Sequence, residues 1–87
     1  MEINEKEQVI LGGVYKHFKG GEYVIFTAGM FENTMEPCIV YQSLDTGKLW
    51  IRTYEDFTGY KEINGERVKR FEYIGALDVL SNIANHD

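Results

Sequence analysis

Two adjacent glycines, Gly20-Gly21, set between two runs of strand-forming residues, constrain this chain more than any other feature. Val14 to Lys19 alternates with a period of two. Val14, Lys16 and Phe18 fall on one face of a strand, and Tyr15, His17 and Lys19 on the other. Tyr23-Val24-Ile25-Phe26-Thr27 then resumes with β-branched and aromatic residues. A Gly-Gly pair reaches the positive φ angles of a two-residue hairpin turn without a Cβ penalty. Residues 13 to 30 therefore read as a hairpin with a Lys-Gly-Gly tip, which commits the chain to antiparallel pairing from its start. The exposed N–H groups of such a tip can also cradle an anion, although turn formation alone accounts for the glycines.

The rest of the chain repeats this grammar. Pro37 suits the first residue of a strand, where no ladder N–H is lost, and Cys38-Ile39-Val40-Tyr41 continues it to about Leu44, with burial on both sides near Ile39 and Val40. Asp45-Thr46-Gly47 is a short turn. Lys48 to Thr53 returns, with Leu49 and Ile51 on one face and Trp50 and Arg52 on the other. Tyr54-Glu55-Asp56-Phe57 lacks alternation and reads as a single helical turn. Asn64-Gly65 is the strongest hairpin signal in the sequence; it separates Tyr60 to Ile63 from Arg67 to Ile74, where imperfect alternation implies a bulge or bend near Lys69-Arg70. After Gly75 the period changes. Leu77, Leu80, Ile83 and Ala84 form a stripe at helical spacing. Val9-Ile10-Leu11 is expected to pack on a barrel rim, and Met1 to Gln8 to fray or form a short helix.

Several of these stretches resemble one known family. Gly13-x-Tyr15-x-His17-Phe18-Lys19-Gly20-Gly21-x-Tyr23 is similar to the opening signature G-x-Y-x-H-[YF]-K-G-x-x-Y of a bacterial family known as domain of unknown function 1653. Val40-Tyr41, Leu49-Trp50-Ile51-Arg52 ahead of Phe57, and Asn64-Gly65-x-Arg67-Val68-x-Arg70-Phe71 follow in the family's order, so the resemblance covers about residues 12 to 74. Lys69 departs from the pattern, which has proline ahead of Arg70-Phe71, and the departure bears on the local bend. The resemblance implies an SH3-like barrel and brings no established reaction with it.

The resulting expectation is a mainly β chain: an SH3-like bent barrel of five or six strands with a short C-terminal helix. Residues 1–87 would form one domain, with the barrel at about 9–74 and the helix at about 76–84. A chain of 87 residues can bury enough surface to fold without staples. Its single Cys38 excludes an internal disulfide and fits a reducing compartment. With no signal peptide and no long apolar run, the expected location is the cytoplasm.

The sequence is less direct about function. A formal net charge of -5 argues against a free-standing nucleic-acid binder, unless Lys16, Lys19, Arg52, Lys69 and Arg70 cluster in space. Cys38, His17 and the carboxylates lack metal-ligand spacing, no phosphate-binding or dinucleotide fingerprint is present, and no cofactor is expected. His17 has the titration range of an acid, a base or an anion donor, but acid–base catalysis needs a second placed group. His86 lies in the terminal segment and is assigned no role. Glu55-Asp56, Glu62 and Glu66 read as solvated charges, and Cys38 as a buried, inert thiol.

The stronger candidate set is polar and aromatic: Tyr15, His17, Lys19, Tyr41, Trp50 and Arg52. Tyr and Trp rings beside basic groups can bind a protein segment or a small anionic ligand; the same rings can equally serve as barrel packing. The primary expectation is a non-enzymatic binding module. The alternatives are a nucleic-acid or nucleotide accessory domain and a small enzyme centred on His17. No membrane partner is expected, and the chain would be a monomer or a weak homodimer through the C-terminal helix.

Overall fold

Strand formation follows the period-two runs closely. The computed structural model describes residues 8–76. Seven strands occur in the order β1 (Gly13–His17), β2 (Glu22–Phe31), β3 (Glu36–Ser43), β4 (Leu49–Thr53), β5 (Tyr60–Ile63), β6 (Glu66–Lys69) and β7 (Phe71–Ala76), with one helical turn, α1 (Tyr54–Phe57), between β4 and β5. The C-terminal helix expected at about 76–84, and the segment 1–7, lie outside the described residues.

β1 to β4 form an antiparallel meander, and β7 returns to pair with β1, giving the sheet order β4-β3-β2-β1-β7. β5 and β6 form a separate two-stranded sheet. The chain is thus mainly β, as expected, but the sheet is not closed: among the described residues β4 and β7 are opposite edges, and seven strands replace the expected five or six. Register shifts between Val14 and Tyr15 and between Ile25 and Thr27 bend the sheet, because an extra residue on one strand sharpens local twist.

Cross-strand pairing decides which side chains share a face. Tyr15 opposes Tyr23 and Tyr73, His17 opposes Phe71, Ile25 opposes Tyr41, Tyr41 opposes Trp50, and Ile39 opposes Arg52. On this face Tyr15, Ile25, Ile39, Tyr41 and Phe71 join Phe57 from α1 in the buried core, with Val9, Tyr23 and Tyr54 packed against them. Phe57 and Phe71 stack at 4.1 Å with their planes 9° apart. Tyr15 and Tyr41 approach Phe57 edge-on at 5.4 and 5.3 Å. Such ring pairs add about 0.5–1.5 kcal/mol each beyond the area they bury. α1 is short, yet it is fixed at both ends. Thr53 Oγ1 accepts from the Asp56 N–H at 3.1 Å, and the Thr58 N–H donates to the Tyr54 carbonyl.

Two turns depart from expectation or confirm it in instructive ways. β1 ends at His17, two residues before the expected end, and Phe18 to Gly21 form the loop. The reason is local hydrogen bonding: the Gly20 N–H donates to the His17 carbonyl at 2.8 Å, and the Lys19 N–H donates to His17 Nδ1 at 3.1 Å. At the other hairpin, Asn64 and Gly65 both take positive φ, 53° and 83°, as a two-residue turn requires. The expected bend near Lys69-Arg70 becomes a full break, because β6 and β7 belong to different sheets. Of Val9-Ile10-Leu11, expected together on a barrel rim, Val9 packs against the core while Ile10 and Leu11 are exposed.

Candidate functional site

Arg52 and Arg70 meet at one carboxylate. Arg52 lies on the core-facing side of β4 because it opposes the buried Ile39. Its Nε donates to the Tyr41 hydroxyl at 3.0 Å, and its Nη1 donates to Asp56 Oδ2 at 2.6 Å. Arg70, at the break between β6 and β7, places Nη2 at 3.4 Å from Asp56 Oδ1. The Arg70 backbone explains this direction: its N–H donates to the Gly59 carbonyl and its carbonyl accepts from the Phe18 N–H, both at 3.0 Å. The Arg70 Nε is buried and has no hydrogen-bond partner among the described residues.

His17 closes the group. Its ring packs 4.6 Å from Phe18, and edge-on at 4.8 Å from Phe71 and 6.4 Å from Tyr23. Burial pushes its pKa below the ordinary 6.5, and the positive charges of Arg52, Arg70 and Lys19 push in the same direction. Because Nδ1 accepts from Lys19, the neutral ring carries its proton on Nε2 and is a donor there. Tyr41 is pushed above its ordinary value by burial, which outweighs the opposing effect of Arg52. Burial works against the charge of Arg52, but the hydrogen bonds to Tyr41 and Asp56 outweigh it, and its pKa sits above the usual guanidinium value. Two guanidiniums therefore meet a single carboxylate, with the His17 ring in their positive field, in a chain of net charge -5.

The sequence-predicted residues separate into distinct environments. Tyr15 is 1% exposed and its hydroxyl accepts from the Ile10 N–H at 3.1 Å, so it serves the core. Tyr41 is also buried and reaches the site only through its hydroxyl. His17 and Arg52 come together. Lys19 sits in the exposed loop, its Nζ 5.8 Å from the Phe18 ring centre, and adds to the positive field at His17. Trp50 shares the face of Tyr41 but is 48% exposed on the edge strand. Asp56, read from sequence as a solvated charge, instead joins the two arginines. Its i,i+4 spacing from Arg52 was the available signal; the Arg70 contact, between residues distant in sequence, left no such trace. Cys38 is buried, as expected, with its thiol 3.7 Å from the Glu36 carbonyl.

A cleft of about 680 Å³ opens beside His17, between β1 and the β5–β6 hairpin. Lys16, Phe18, Ile63, Val68 and Lys69 line it, with Glu66 and Glu72 giving it mixed charge. Among the described residues no cluster of His, Cys, Asp or Glu could hold a metal ion, and no helix is long and apolar enough to cross a membrane.

The profile of DUF1653, a family of unknown function, matches residues 13–73. The chain belongs to the DUF1653 family. The crystal structure of a DUF1653 protein from Bordetella bronchiseptica is similar to it, with a TM-score of 0.68 and 24% sequence identity over 78% of this chain and 91% of that one. At that identity the likeness speaks for the fold alone. A search of curated proteins found no match. DUF1653 membership fits the motif order from Gly13 to Phe71 and leaves function to be argued from the site.

Proposed function

We propose that this chain is a non-enzymatic binding module that captures a small anionic group, carried by a protein segment or a small molecule, at the His17–Arg52–Arg70 cluster. The observation that carries the reading is the convergence of two guanidiniums on one carboxylate, with His17 and Arg52 both against the Phe71 ring and the Arg70 Nε buried without an acceptor among the described residues. Arg forks suit carboxylate and phosphate oxygens, and charge-assisted hydrogen bonds are the stronger kind. Buried donors without acceptors are uncommon in folded proteins, so the Arg70 guanidinium is not saturated by the contacts it makes.

The wider expectations attach to this reading. The return of β7 to β1 after a four-strand meander supports an SH3-like relationship in the form of an opened, bent barrel. The single free Cys38 supports a bacterial cytoplasmic setting, where thiols stay reduced.

The test is a ¹H–¹⁵N and side-chain NMR titration with inorganic phosphate, acetate and a single-stranded oligonucleotide at two salt concentrations. Shifts confined to His17, Arg52 and Arg70, and lost in Arg70→Met, are the expected result. Shifts elsewhere with phosphate and acetate, or none, overturn the proposal. Strong, steeply salt-dependent shifts with the oligonucleotide alone would instead favour a nucleic-acid role.

A further inference from the structure

We infer that Asp56 is the resident carboxylate of this site, and that the ligand is an external carboxylate which enters by exchange with it. The inference rests on the anion-binding reading above and names its ligand class.

Asp56 shows what the two arginines accommodate. One oxygen takes the Arg52 contact at 2.6 Å and the other the Arg70 contact at 3.4 Å, so a planar, two-oxygen anion bridges the guanidiniums. The grip is uneven. The Arg70 contact is long, and the Asp56 side chain is 44% exposed. Solvent-exposed ion pairs are weak, because water replaces either partner at little loss. Asp56 can therefore turn outward without a large penalty.

The backbone beneath it does not need to move. Phe57, the next residue, is 1% exposed and stacked on Phe71. The Asp56 N–H is held by Thr53 Oγ1, and the Arg52 Nε by Tyr41. The exchange is thus a side-chain rotation above a fixed turn. An incoming carboxylate takes the same two guanidiniums, whose remaining N–H groups can supply further donors. Phosphate fits less well. Its second negative charge would face the Asp56 carboxylate, which stays tethered at the rim.

A tethered competitor acts at high effective concentration, so it lowers the apparent affinity of any rival. Removing its charge releases the site. The experiment titrates wild type and Asp56→Asn with acetate, with phosphate, and with a short peptide bearing either a free or an amidated C-terminus. Acetate should bind about tenfold more tightly to Asp56→Asn than to wild type. In the wild type, acetate should be preferred over phosphate and should move the Asp56 side-chain carboxyl ¹³C resonance. The free peptide binding more tightly than acetate would assign the carboxylate to a protein partner; equal binding would assign it to a small acid.

Binding to wild type that is unchanged or weakened in Asp56→Asn overturns the exchange while leaving the anion site standing. Phosphate preferred over acetate overturns the ligand class. Binding of no anion to either protein overturns the site itself. Should Asp56→Asn fail to fold, the ¹³C measurement on wild type decides alone: an Asp56 resonance that stays fixed at acetate saturation overturns the exchange.

Discussion

The five-stranded sheet and the β5–β6 hairpin are built from the same alphabet and held by different forces. The sheet, with α1, supplies every member of the buried core, while all four residues of β5 are exposed and none in β6 is fully buried. The hairpin depends on its Asn64-Gly65 turn, its ladder, the Arg67 guanidinium lying 4.2 Å over the Tyr60 ring, and the Arg70–Gly59 hydrogen bond at its base. Apolar burial anchors one region, and local geometry anchors the other. The candidate site lies at their seam, where rigid sheet residues meet a segment whose position follows from backbone bonds.

The sharpest way to break this contrast is to truncate one apolar side chain on each side. Phe71→Ala should destabilise the chain by about 3–5 kcal/mol in urea unfolding, as buried aromatic truncations do. Val68→Ala in the hairpin should cost less than about 1 kcal/mol, and equal losses would contradict the contrast. Next in size, Arg52→Met keeps the stem but strips the donors from Tyr41 and Asp56. A loss of about 1–2 kcal/mol is expected, at the lower end for charge-assisted bonds because Asp56 is half exposed. Gly65→Ala forces a Cβ into φ +83° and should cost about 1 kcal/mol. Amide exchange should quicken in β5 and β6 and not in β1 to β4; uniform acceleration would mean the two sheets open together.

The smallest effect is the pH dependence from His17. Its folded pKa is lowered, so the unfolded chain takes the proton first as pH falls. The stabilising contribution is complete above 6.5, declines below it, and levels off once pH passes the lowered folded value. NMR titration of the imidazole should give a midpoint below 6.5, and His17→Gln should flatten stability between pH 7 and 5. A bound carboxylate should shift that midpoint upward. A midpoint above 6.5 in the free protein would mean that Arg52 and Arg70 do not face the ring.

Much of the strand order was legible because it rests on local signals. Gly20-Gly21, Asp45-Thr46-Gly47 and Asn64-Gly65 mark reversals by their own backbone preferences, and the loss of alternation at Tyr54 marks the helical turn. Facing was harder to read. Alternation puts Leu49 and Ile51 on one face of β4 and Trp50 and Arg52 on the other without saying which is inward; Leu49 and Ile51 are 54% and 69% exposed, and Arg52 lies on the core-facing side. Composition along one strand cannot settle this, since the choice depends on Ile39 and Tyr41 across the ladder. The same limit applied to the site. His17 and Arg52 stood out by residue type, whereas Asp56 and Arg70 joined them through contacts that only the folded chain creates. Tyr15 and Tyr41 were selected as candidate binding rings, and they turned out to be core residues because neighbouring strands cover them.

Arg70 sits alone between two sheets, and both of its peptide groups are tied to different loops. The path of the main chain there does not depend on which side chain it carries. Position 70 is therefore a socket. The side chain there, and with it the charge presented beside His17 and Asp56, can be exchanged while both backbone bonds are kept. A fold that separates its frame from a side chain in this way can change the charge at that point by single substitutions.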